Sequence, residues 1–276
     1  MNRKIKLSLI ILLLGVNLYA QKRLELFPSE LNIKPFVANF LEPKVGFIFM
    51  SGKNSLRLDI GNSRDFIHLV DGDKIISFGG DFFTYTKLRG ETDFHFPVDA
   101  VDYLFGLNGS FKIKNVDTEC GVRVRLSHIS AHFVDGHFDN YSNTWRSGRT
   151  PRVYSREFVE LTPFYSINDF RFYAGYSYLF HVVPKEIGKS ILQIGGEKFF
   201  NLSFADHLFP FIAYDLRLTK IGKYSGTNSL SAGIKVGKKE TGGISFMVDY
   251  FSGNNIHGEY FDYKENYVAF GMNLDL

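Results

Sequence analysis

Two neighbouring segments of the sequence carry residue types that together support acyl transfer. His128 and Ser130 are two residues apart in one alternating segment, and Glu157 lies in the next one. Residues i and i+2 of a strand point to the same face, so an imidazole base can reach a serine hydroxyl there. A carboxylate from a neighbouring strand can orient such an imidazole. The sequence therefore predicts a candidate triad, with Ser130 as nucleophile, His128 as general base and Glu157 as the group that orients the base.

The register of the two segments decides whether these residues can meet. If the loop between them is centred on residues 142–143, antiparallel pairing places Val134 opposite Pro151 and His128 opposite Glu157. Directly opposed residues have Cβ atoms roughly 4.5–5.5 Å apart, which allows an imidazole–carboxylate hydrogen bond. A slip of one residue would turn Glu157 to the other face of the sheet. The match of faces therefore supports the triad.

The N-terminus has the three parts of a secretory signal peptide. Residues 2–6 are basic, residues 7–16 are apolar, and residues 18–20 form a cleavage site before Gln21. The apolar run is too short to span a membrane, so we expect cleavage after residue 20, and an uncleaved anchor is the alternative. The rest of the chain is then predicted to lie outside the cytoplasm.

The composition after residue 20 is typical of an outer-membrane barrel. The sequence has 29 Phe and 15 Tyr against one Trp, and 26 Gly against 8 Pro. No later apolar run reaches the roughly 20 residues that a transmembrane helix needs. Segments with an apolar outer face and a polar inner face predict a closed barrel in the bacterial outer membrane, and a secreted β-sandwich is the competing fold.

Twelve segments alternate as strands do, and an even number is typical of bacterial single-chain barrels. They are Val45–Met50, Ser55–Ile60, Lys74–Leu88, Tyr103–Lys114, Glu119–Val134, Arg152–Tyr165, Asp169–His181, Ser190–Phe204, Leu208–Thr219, Ser229–Val236, Ile244–Phe251 and Glu265–Leu276. The sequence thus predicts an all-β chain with a signal peptide at 1–20, an N-terminal periplasmic extension at 21–43 and a single transmembrane antiparallel barrel at 44–276. Because proline punctuates residues 21–43, we expect no strand there, but a segment at the periplasmic rim or in the lumen.

Connection lengths predict the orientation of the barrel, because periplasmic turns are short and extracellular loops are longer. The expected contrast is seen at 115–118, 166–168 and 237–241, which are short, and at Asp135–Pro151 and Ser252–Lys264, which are long. The first two connections break the trend, since Ser51–Asn54 is tight and Gly61–Asp73 is long. This orientation places His128 and Ser130 near the outer end of the fifth strand.

The predicted inner face is rich in charge. Its polar members are Arg57, Asp59, Asp81, Asn108, Lys112, Arg123, Arg125, Arg156, Glu160 and Arg171. In a barrel of this size such residues form a plugging ion-pair network more often than they line a wide pore. A narrow channel or transporter is the alternative function that this face leaves open.

The net charge and the positions of possible metal ligands limit the binding partners that the sequence predicts. A net charge of +3 is too small to indicate nucleic-acid binding, and membrane lipid is the expected partner. The single cysteine, Cys120, has no partner for an intramolecular disulfide. No cofactor is predicted, and a zinc site at His128, His132 and His137 is a weak alternative because His137 follows Gly136 in the loop.

Most of the chain after the signal peptide resembles an outer-membrane family catalogued as domain of unknown function 1207. The residues that carry this resemblance are Leu26–Glu30, Leu126–Asp135, Tyr154–Glu157 and Phe170–Gly175. The family's central motif has two consecutive serines, where this chain has Ser130 followed by Ala131. The resemblance implies a barrel and assigns no activity.

The hairpin that carries His128, Ser130 and Glu157 is also similar to two families of outer-membrane lipolytic enzymes, phospholipase A and the lipid A deacylase. Both are barrels with His-X-Ser on one lipid-facing strand and Asn or Glu on the next, which His128, Ser130 and Glu157 match. Ala131 stands where these enzymes carry Asn, and the following loop is longer. The similarity implies cleavage of an acyl ester of lipid A or phospholipid. Calcium, which the phospholipase uses, would have Asp135, Asp139 and loop carbonyls as ligands.

A non-catalytic explanation fits the same residues. Strand ends at a membrane surface are ordinarily polar, so His128, Ser130 and Glu157 can simply meet lipid headgroups, as His132 is expected to do. The protein would then be a structural or binding barrel with a plugged polar lumen. The two hypotheses differ in whether Ser130 is needed for a change in membrane lipid.

Overall fold

The computed structural model describes residues 22–239 and 242–275, so the predicted signal peptide lies outside the described residues. The strands are β1 (Lys22–Leu26), β2 (Val45–Met50), β3 (Ser55–Asp71), β4 (Lys74–Arg89), β5 (Val98–Lys114), β6 (Thr118–Phe133), β7 (Phe138–Asp139), β8 (Thr144–Trp145), β9 (Tyr154–Ile167), β10 (Phe170–Val183), β11 (Ile187–Phe199), β12 (Leu208–Ile221), β13 (Lys223–Gly237), β14 (Gly243–Asn254) and β15 (Lys264–Asp275). Within this part of the chain, no helix is long and apolar enough to cross a membrane.

Twelve of these strands, β2–β6 and β9–β15, form one closed antiparallel barrel. Neighbours in the chain pair with each other, and β6 pairs with β9 across the loop that holds the small β7–β8 hairpin. The barrel closes where β15 pairs with β2, with Ala269 opposite Met50 and Leu274 opposite Val45. The predicted fold, an antiparallel barrel of about twelve strands, is confirmed.

The faces of the wall alternate as expected for a barrel in lipid. On β10 the outward side chains are exposed and largely aromatic, namely Phe170, Phe172, Tyr176, Tyr178 and Phe180. The inward neighbours Tyr173, Ser177 and Leu179 are buried. Apolar residues outside and polar residues inside reverse the arrangement of a soluble barrel, and they are typical of a transmembrane one.

The third strand is longer than the sequence indicates. The prediction of a long connection at Gly61–Asp73 was wrong, because β3 continues to Asp71 and turns at Gly72, whose φ of 62° suits glycine. Two features hide the strand: Asn62 and Arg64 put polar groups on the outward face, and a β-bulge between Asp65 and Ile67 breaks the alternation.

The N-terminal segment begins with a strand that the sequence does not predict. Residues 22–26 form β1 and pair with the last residues of β3, Lys22 opposite Asp71 and Leu26 opposite Ile67, so the prediction of no strand in 21–43 was wrong there. The reason is tertiary: β2 pairs only with the first residues of β3 and leaves the end of β3 as a free edge.

Residues 31–44, which are buried or half-buried, run inside the barrel and fill the lumen. Glu42 is 1% exposed and accepts hydrogen bonds from Arg123 at 3.0 Å and from Arg125 at 2.6 Å. Arg217 donates to Asn39 at 2.9 Å, and Arg57 donates to the Phe40 carbonyl at 2.9 Å. The predicted plugging network of charged side chains is therefore present, and the N-terminal segment completes it.

Candidate functional site

The predicted pairing of the hairpin is confirmed. His128 on β6 is the direct partner of Glu157 on β9, in the register that places residue 131 opposite residue 154. The His128 Nδ1 and the Glu157 Oε1 lie 2.6 Å apart. Both side chains point outward, and 28% of His128 and 27% of Glu157 remain exposed. A hydrogen bond from Nδ1 to a carboxylate leaves the Nε2 of His128 for a second partner.

Ser130 lies on the same outward face, two residues along β6. Its direct partners are Tyr103 on β5 and Ser155 on β9. Among the described residues, none forms a hydrogen bond with the Ser130 hydroxyl. Contacts between a nucleophile and its base are often long without substrate, so this geometry is compatible with the predicted role. That role stays a prediction.

A second serine supports the carboxylate. The Ser155 hydroxyl donates to Glu157 Oε1 at 2.8 Å, from two residues away on the same strand. Ser155 is not among the site residues predicted from the sequence. The spacing of i and i+2 on one face, which revealed His128 and Ser130, was the signal that could have found it.

A second histidine, His181 on β10, contacts the other oxygen of the same carboxylate, through its Nδ1 and Glu157 Oε2. Its side chain is 59% exposed. His181 is opposite Glu157 only because a β-bulge at Phe180 shifts the β9–β10 register between Leu179 and His181. Alternation alone would have turned His181 into the lumen, so the sequence offered no signal for it.

The wall around the site is apolar. The Phe105 ring lies 4.9 Å from the His128 imidazole, centroid to centroid. Leu126, Val159 and Tyr178, each about half exposed, face outward on the three strands of the site. Acyl chains can pack against this apolar surface. The polar side chains next to it can contact the ester that joins such chains to a headgroup.

The loop at residues 255–263 packs against the site from the lumen side of the wall. Asp102 accepts hydrogen bonds from the His257 imidazole and from the Gly258 backbone N–H, both at 2.7 Å. A Cβ at Gly258 would lie 2.3 Å from Tyr154 and 2.6 Å from Ala131, so only glycine fits. Tyr154 and Ala131 are neighbours of Ser155 and Ser130, and the loop therefore packs directly behind the candidate site.

The zinc site considered from the sequence, at His128, His132 and His137, is not assembled. In residues 22–239 and 242–275, no three His, Cys, Asp or Glu side chains form a group that could hold a metal ion. His137 is buried against Phe133 in the loop, with ring centroids 3.9 Å apart. Asp135 accepts a hydrogen bond from Gly136, and the Tyr141 backbone N–H lowers the pKa of Asp139.

Comparisons with known proteins agree with the barrel. The family model described as "Protein of unknown function (DUF1207)" matches residues 91–276. The outer membrane phospholipase A from Escherichia coli is similar in structure, with a TM-score of 0.52 and 12% identity over 90% of this chain and 95% of that chain. An active-site mutant of the same phospholipase gives the same TM-score at 13% identity. No curated protein matches the sequence.

Proposed function

The chain belongs to the DUF1207 family of proteins of unknown function, and from its geometry we propose that it is an outer-membrane acyl-ester hydrolase. The single observation that carries the proposal is the bond between His128 and Glu157 on the lipid-facing wall, with Ser130 on the same face. An ion-pairing carboxylate is unfavourable on such a surface, so its presence there needs a reason. Serine hydrolysis supplies one.

The reaction follows the serine–histidine–acid scheme. Ser130 Oγ attacks the ester carbonyl carbon while His128 Nε2 takes the hydroxyl proton. Glu157 Oε1 stabilises the imidazolium through Nδ1. The tetrahedral intermediate collapses, the imidazolium gives its proton to the departing alcohol, and the acyl group stays on Ser130. Water, deprotonated by His128 Nε2, then attacks the acyl carbon; the bond to Ser130 Oγ breaks, the imidazolium returns its proton to Oγ, and the fatty acid leaves.

The substrate class follows from the position of the site. The acyl chains of a lipid can lie along the outward apolar wall, with the ester at the level of Ser130. Long connections at 134–153 and 255–263 lie at the end of the barrel nearest the site, as expected for the extracellular end. We therefore propose lipid A or phospholipid of the outer leaflet as substrate. The structural likeness to phospholipase A supports the barrel, and the hydrogen-bonded residues support the activity.

The test uses purified protein in mixed micelles with either phospholipid or lipid A. We expect the wild type to release fatty acid from one of them and Ser130→Ala to lose roughly a thousandfold or more of that rate. Ser190→Ala is the matched control, because Ser190 is an outward serine on β11 that bonds Tyr176 and not Glu157. Equal rates for wild type and Ser130→Ala would contradict the proposal.

A further inference from the structure

We propose that His181 is a positioning residue of this site, which holds the second oxygen of Glu157 so that the first faces His128. The inference rests on the proposed hydrolase function and adds a residue to it. The observation behind it is a carboxylate with both oxygens engaged: His128 and Ser155 contact Oε1, and His181 contacts Oε2.

A glutamate on a lipid-facing strand needs such support. Its side chain has several rotatable bonds, and 27% of it is exposed, so partners on one oxygen alone leave the carboxylate free to rotate. A contact on Oε2 from the opposite strand stops this rotation. A carboxylate held by both neighbouring strands presents a fixed acceptor to the His128 imidazole. The acid of a serine–histidine–acid triad needs such a fixed position to orient the base.

The β-bulge at Phe180 is the structural device that brings His181 to Glu157. Before the bulge, Ser177 and Leu179 are buried on the inward face of β10. The extra residue, Phe180, is 48% exposed and points outward. Because it shifts the alternation by one residue, His181 points outward as well. Bulges occur often beside active sites because they re-aim one side chain without disturbing the rest of the strand.

His181 is expected to act on Glu157 and not on the reacting atoms. It lies on β10, and the whole of β9 separates it from Ser130 on β6. A neutral imidazole with its proton on Nδ1 and an imidazolium both donate from Nδ1, so the contact to Oε2 persists in either state. Loss of this contact should therefore lower kcat and leave KM nearly unchanged.

Two substitutions separate positioning from other roles. His181→Phe keeps an aromatic ring and removes the donor, and we expect kcat to fall roughly ten- to hundredfold, the cost of a small misplacement. His181→Asn keeps a donor near the Nδ1 position, and we expect kcat within about threefold of the wild type. His132→Phe is the matched control, since His132 is an outward histidine of the same wall that contacts Tyr103 and not Glu157.

Kinetics of these variants are measured on the lipid that the wild type hydrolyses, with folding checked by heat-modifiable migration on gels. If His181→Phe keeps the wild-type kcat, or if His181→Asn is as impaired as His181→Phe, the inference is overturned. The second outcome would indicate that the Nε2 of His181 takes part in the chemistry.

An NMR readout keeps this inference separate from the hydrolase proposal. The His128 Nδ1–H proton, in a short bond to a carboxylate, should give a strongly downfield signal in histidine-labelled protein. We expect this signal to broaden or vanish in His181→Phe and to persist in His181→Asn and His132→Phe. An unchanged signal in His181→Phe overturns the positioning role even if the wild type proves to have no lipolytic activity, which would defeat the proposed function alone.

Discussion

Two carboxylates, Glu42 inside the barrel and Glu157 outside it, each gather several polar partners. Glu42 is 1% exposed and binds the guanidinium groups of Arg123 and Arg125. Glu157 is 27% exposed and contacts two imidazoles and a hydroxyl. Guanidinium groups stay protonated at any ordinary pH, whereas imidazoles exchange protons near neutral pH. The inner cluster can therefore hold a structure together, and the outer cluster can transfer protons.

The two clusters also differ in what the fold requires. The inner charges are explained by the N-terminal segment, which fills the lumen and needs partners for its buried polar groups. Nothing in the barrel requires a charged side chain on the lipid-facing wall, where carboxylates are unfavourable. This contrast is what we expect if the inner network maintains the plugged barrel and the outer one carries out the proposed hydrolysis.

The largest expected effect concerns the outer cluster. Glu157→Gln should lower lipid hydrolysis roughly a thousandfold or more, because an amide carries no negative charge to stabilise the imidazolium of His128 and can favour its wrong tautomer. Stability should change little, by about 0.5 kcal/mol, since the side chain is on the surface. Rates in mixed micelles and urea unfolding in detergent check both statements. If Glu157→Gln keeps the wild-type rate, the outer cluster is not needed for hydrolysis, and the proposed difference in role between the two clusters is contradicted.

The inner cluster should respond in the opposite way. Glu42→Ala removes the carboxylate that the buried Arg123 and Arg125 share, and we expect a loss of about 3–5 kcal/mol in the free energy of unfolding. Activity per folded molecule should be unchanged. Glu30→Ala, at an exposed position just before the part of the N-terminal segment that fills the lumen, is the control. Similar urea midpoints for the two variants would mean that the inner network does not stabilise the barrel.

The smallest expected effect concerns pH and the loop at 134–153. Burial lowers the pKa of His137, so folding of the loop favours the neutral imidazole. The stabilisation is complete above the ordinary histidine pKa of about 6.5 and is lost as the pH falls below it. Trp145, the single tryptophan, stacks 6.2 Å from His137 and reports the change by fluorescence. We expect a shift on acidification in the wild type and none in His137→Phe, and equal shifts would contradict this assignment.

Part of this picture could be predicted from the sequence and part could not. Alternation predicted the barrel and its strand number, because both depend on local periodicity. The pairing of His128 with Glu157 needed, in addition, the assumption that the loop is centred on residues 142–143. The bulge at Phe180 inserts one residue into that periodicity, so His181 was missed. The partners of Glu42 are 81 and 83 residues away in the chain, and no local pattern could have paired them.

The central claim is that Ser130 cleaves an acyl ester of an outer-membrane lipid. Mass spectrometry of outer-membrane lipids from cells expressing the wild type or Ser130→Ala tests it most directly. We expect lipid A lacking an acyl chain, or lysophospholipid, with the wild type only. Identical lipid profiles from equal amounts of folded, inserted protein would contradict the claim, and the His128–Glu157 cluster would then be interfacial polarity at the end of the strands.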